Sequence, residues 1–81
     1  MEYPMSLDTA LTLVNGMREM KWEEREKSSS HDEKARLSHE IKMLSKEEKL
    51  LYGSYDYSRL SVMDKVDRLY SPILKAYYKE N

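Results

Sequence analysis

Apolar side chains recur every three to four positions from Leu7 to Tyr77. That spacing gathers them on one face of an α-helix, whereas a half-buried strand would alternate at every second position. The first stripe runs through Leu7, Ala10, Leu11, Val14 and Met17. Leu13 and Met20 widen it on one side and Trp22 on the other. At ~100° per residue the arc exceeds half the circumference, so the first helix is expected to meet two surfaces. Asn15-Gly16 is a turn signal in other settings. Here the stripe passes through it in phase, which predicts an unbroken helix with a close approach at Gly16.

Capping residues divide the chain into three segments. Pro4 and Ser6 open the first, with Ser6 as N-cap and Asp8 near the positive end of the helix dipole. The charged run "KWEEREK" fades into "SSSHD", where Ser29 with Asp32 and Ser30 with Glu33 form overlapping capping boxes. The second helix carries Leu37, Ile41 and Leu44 on one face. Continued in phase, it brings Glu47 into that face, where an unpaired charge is costly. Ser45, with Glu48 three residues on, offers a fresh cap that resets the phase and returns Leu50 and Leu51 to the core. Gly53 suits the left-handed position that ends helices.

The third helix is expected to start near Ser58 or Ser61. Val62, Met63, Val66, Leu69, Tyr70, Ile73, Leu74 and Tyr77 share its apolar face. Asp64 and Arg68 form a favourable i,i+4 pair. Pro72 removes a backbone donor, which predicts a bent helix or two helices placed end to end with Ser71 as cap. The fold class read from these patterns is all-α, a compact antiparallel three-helix bundle. Its helices span about 6–27, 31–52 with a break near 45, and 59–79 bent near 72. Leu37, Leu44 and Leu51 fall seven apart, but no second apolar position sustains a long coiled coil.

At 81 residues, the chain reads as one helical domain over 1–81. A domain of this size buries only about 60–65% of its unfolded surface, so self-association is a natural source of added stability. The wide face of helix 1 is the expected seat of a homodimer. Cysteine is absent, which removes disulfides and thiolate ligands and suits a reducing compartment. The run "ALTLV" is far too short to span a bilayer, and no basic-then-apolar leader opens the chain, so the expected location is the cytoplasm. Net charge is −1. The first forty residues lean acidic and the rest mildly basic, without the basic surplus of a nucleic-acid binder.

Catalytic and metal-binding patterns are sparse. "HEIKM" at 39–43 has Met43 where a zinc-binding helix needs its second histidine. His31 and His39 read as a residue beside a cap and a solvated surface residue. Ser28, Ser29 and Ser30 beside His31 lack the geometry of a nucleophile and base. Gly16 and Gly53 stand too far apart to cradle phosphate. Glu23-Glu24 and Glu47-Glu48 project in different directions. No enzyme and no cofactor are expected. A helix-turn-helix is disfavoured because "YGSYDYSRLS" exceeds the usual three- or four-residue turn.

The segment "YGSYDYS" has the composition of binding loops that use tyrosine as a rigid amphipathic anchor. Tyr52, Tyr55 and Tyr57 either seal the end of the core or face a partner, with Arg59 close by. Trp22 lies at the edge of its stripe, open to both roles, and Tyr78 points away from the face that holds Tyr77. The expected function is a small intracellular regulator, adaptor or inhibitor, comparable to those of phages and bacteria. It would bind a larger protein partner through Tyr52, Tyr55, Tyr57, Arg59, Trp22 and Tyr78. The alternatives are a homodimeric structural protein and a dimeric nucleic-acid-associated transcriptional regulator.

Overall fold

The computed structural model describes residues 2–80 and shows an all-α three-helix bundle. Helix α1 spans Leu7–Lys27, α2 spans His31–Tyr52, and the third rod comprises α3 (Asp56–Lys65), a π-helical turn (Val66–Tyr70) and α4 (Ser71–Glu80). The caps at Ser6 and Ser30 form as the sequence predicts, whereas Ser29 caps no helix. Ser6 accepts from the Thr9 amide and Ser30 from the Glu33 amide, each satisfying a donor that the first turn leaves open.

Cross-links between α1 and α2 fix their antiparallel sense. Arg18 meets Glu48, Lys21 meets Glu40, and Arg25 meets Ser38, so positions rise along one helix as they fall along the other. The main core joins Ala10, Val14, Met17 and Met20 of α1 with Leu44 and Leu51 of α2 and with Val62, Met63, Val66, Tyr70 and Leu74 of the third rod. Leu37 and Ile41 are buried further along α2, toward its start. Helix α1 packs on α2 along one side and on the π turn and α4 on another. The two surfaces expected for α1 are thus both present within one chain, while Leu7 and Trp22 of its arc remain exposed.

Gly16 is the close-approach point. A Cβ there would stand 3.2 Å from Leu74 Cδ1 and 3.8 Å from the Tyr78 hydroxyl, so the missing side chain lets α4 lie against α1.

Three boundary expectations are corrected. Helix α2 runs without a break through Ser45. The Glu47 carboxylate, with its side chain only 13% exposed, is neutralised in place by Lys65 Nζ at 2.8 Å and by the Tyr70 hydroxyl, which donates at 2.6 Å. Ser45 accepts from Arg18 at 3.2 Å instead of capping a helix, and Glu48 takes the same guanidinium in a two-pronged contact. Gly53 ends α2 in an extended conformation, φ −70° and ψ 169°, not the left-handed one. The third rod begins at Asp56, not residue 59, and the Asp56 carboxylate lies in its first turn where the helix dipole favours an acid.

The irregularity expected near Pro72 appears one turn earlier, as the π-helical turn Val66–Tyr70. Pro72 has no amide hydrogen and its ring would crowd the carbonyl of Arg68 in a regular helix. The chain widens instead, and the Ser71 amide reaches back five residues to the Val66 carbonyl. The extra residue per turn moves the buried stripe to Val66, Tyr70 and Leu74. It leaves Leu69 and Ile73, both expected in the core, 52% and 42% exposed.

Candidate functional site

The six residues expected to face a partner do not form one patch. Tyr52, Tyr55 and Tyr57 are exposed around the α2–α3 turn, and the Tyr55 and Tyr57 rings lie 6.1 Å apart. Tyr52 does not close the end of the core, because Leu51 turns inward in its place and is fully buried. Trp22 sits on the outer side of α1 with the Arg25 guanidinium 5.5 Å from its ring centre. Tyr78 is exposed on α4, edge-on to Tyr77 at 5.4 Å, and Tyr77 itself is tied to Glu23.

Arg59 is a brace, not an exposed anchor. Its guanidinium donates to the Gly53 carbonyl and to the Tyr3 hydroxyl at 3.0 Å, and pairs with Asp56 at 3.5 Å. Tyr3 in turn donates to Asp56 at 2.7 Å, and this hydrogen bond is the main reason its phenol titrates above the ordinary range. These contacts pin the segment before α1 and the α2–α3 turn to the first turn of α3. The tyrosines thus stand on a braced loop.

A second feature lies between α2 and the third rod. Met43, Glu47 and Leu50 occupy one row of α2 at helical spacing. Leu50 and Tyr57 flank one cleft, with Val62 at its base. Beyond it, α4 packs on α1, and a further cleft of about 280 Å³ opens between Met43 and Ile73 above Met17, Leu44 and Tyr70. Lys65 borders both clefts, and its salt bridge to Glu47 crosses between them. Burial, with the hydrogen bond to Glu47 second, pushes the Tyr70 phenol up to about 12, while the bond to Glu47 raises Lys65. At neutral pH the bridge is a phenol and an ammonium on one carboxylate.

Sequence reasoning missed Met43, Leu50 and Ile73 as surface residues. The phase reset expected at Ser45 places Leu50 in the core, whereas the unbroken helix leaves it 44% exposed. An unbroken α2 would have set Met43, Glu47 and Leu50 in one row, which is the signal available from sequence.

Among the described residues no three His, Asp or Glu side chains converge to hold a metal ion, and no helix is long and apolar enough to cross a membrane. Comparison with protein-family profiles, curated proteins and solved structures finds no match to this chain.

Proposed function

We propose that this chain is a small non-enzymatic protein-interaction module, of the adaptor, inhibitor or regulator kind, acting on a larger protein partner. The supporting observation is that Tyr52, Tyr55 and Tyr57 are 69%, 66% and 69% exposed while Leu51, Val62 and Met63 close the core beneath them. Folding leaves three large rings at one end of the bundle without a burial role. A tyrosine ring loses little rotamer freedom on contact and carries a hydroxyl for a polar partner, which suits it to recognition. Arg59 serves this surface by holding the loop that carries it.

The test compares the native chain with the Tyr55→Ala/Tyr57→Ala variant in affinity capture from a lysate of the source cell, with circular dichroism on both. The expected result is a protein retained by the native chain and lost by a variant of unchanged helicity. Equal capture by both proteins, or loss of helicity in the variant, refutes the reading.

A further inference from the structure

We propose that the groove between α2 and the third rod receives an acidic amphipathic α-helix of the partner protein, seating two apolar side chains seven residues apart. This rests on reading the chain as an interaction module and adds the chemistry of the segment it binds.

The spacing comes from α2 itself. Met43 and Leu50 are 45% and 44% exposed and stand on the same row, two turns apart. At 1.5 Å per residue they are separated by about 10 Å along the axis. Each opens onto its own cleft, Leu50 with Tyr57 and Met43 with Ile73, and the Glu47–Lys65 bridge forms the saddle between them. A helix laid along the groove presents its residues i and i+7 at the same separation on one face, the usual geometry of helix-in-groove recognition. One anchor enters each cleft and the intervening turn passes over the saddle.

Charge selects among such helices. Arg18, Lys21, Arg36, Arg59, Lys65 and Arg68 each pair with a carboxylate of this chain. Lys42, Lys46 and Lys49 are exposed on the outer side of the Met43–Leu50 row, and none of them has an ion pair among the described residues. A docked helix therefore has the Lys46 ammonium along one flank, with Lys42 and Lys49 a further step round α2 adding to the positive field on that side. Carboxylates on that flank are attracted and lysines repelled.

The probe is a fluorescently labelled, covalently stapled synthetic helix with two leucines seven positions apart and glutamates along one flank, read by anisotropy. Its controls carry the leucines five positions apart, or lysines in place of the glutamates. The inference expects saturable binding that weakens with added salt and falls about tenfold or more with Leu50→Asp or Met43→Asp. Lys46→Glu/Lys49→Glu should lose the glutamate probe and gain the lysine one. That exchange keeps the test decisive if an apolar-row variant fails to fold.

No saturable binding, equal affinity for the misspaced probe, or indifference to charge reversal overturns the inference. If these failures occur while partner capture still depends on Tyr55 and Tyr57, the interaction reading stands and the groove assignment falls. Capture indifferent to those tyrosines removes the premise itself, a separate result.

Discussion

The Glu47 bridge invites a direct energetic test. Glu47 stands at the edge of the core, in the row of Met43 and Leu50 with its side chain 13% exposed, and the structure answers with two donors, Tyr70 and Lys65. Tyr70 is 7% exposed, so its hydroxyl has little access to water once the carboxylate is removed. Tyr70→Phe deletes one hydrogen bond to a charged acceptor, and Glu47 keeps Lys65, so the expected cost is about 1.5 kcal/mol. Glu47→Leu leaves the phenol without a protein acceptor in a part-buried site, which costs about 2 kcal/mol. With both substitutions the site becomes apolar and no group is orphaned, so the double variant should lie within about 1 kcal/mol of the native chain. The singles then exceed the double by about 2.5 kcal/mol, a coupling far above the error of a double-mutant cycle.

Urea unfolding followed by far-UV circular dichroism measures all four proteins on one scale. A domain with total stability of about 5–15 kcal/mol makes such differences visible. Additive single effects, agreeing with the double to within about 0.5 kcal/mol, would refute the claim that Tyr70 and Glu47 act as a coupled pair.

The same site makes a pH prediction. The Tyr70 phenol is raised from 10.0 to about 12 in the folded chain. Its contribution is thus complete below pH 10 and is lost as the pH climbs through the window to about 12. Lys65, also raised, acts in the same sense. Stability should fall over that range, and Tyr70→Phe should flatten part of the fall.

Other substitutions probe the backbone and the packing of the rods. Lys46→Pro separates an unbroken α2 from one restarted at Ser45: proline inside the helix should cost about 3 kcal/mol in urea unfolding, whereas position 46 after a serine cap would accept it readily. Gly53→Ala should leave stability unchanged or raise it by about 0.4–1 kcal/mol, because φ is −70° and the new Cβ meets nothing closer than the Leu50 carbonyl at 3.4 Å; a clear loss in thermal unfolding would contradict that backbone. Gly16→Leu should destabilise by about 1–3 kcal/mol through overpacking on Leu74, and Leu74→Ala in the same chain should recover part of the loss. No recovery in the thermal midpoint would place the clash elsewhere.

Local chemistry alone determined the three helices, the caps at Ser6 and Ser30, the close approach at Gly16 and the two packing surfaces of α1. Each depends on residues within a turn or two, or on a periodicity that any burying surface would satisfy. What escaped were decisions between distant residues. Whether Glu47 broke α2 or stayed within it turned on Lys65 and Tyr70, which are 18 and 23 positions away. The retained phase then carried Leu50 outward beside Met43, and the π turn before Pro72 carried Leu69 and Ile73 outward with it. Arg59 offered no local hint that it would brace Tyr3 and Gly53 instead of standing in solvent. Helical periodicity states which side chains seek cover, while only the assembled bundle sets which partners reach them. A half-buried carboxylate matched by two donors stays within an intact helix, and those donors meet it only in three dimensions.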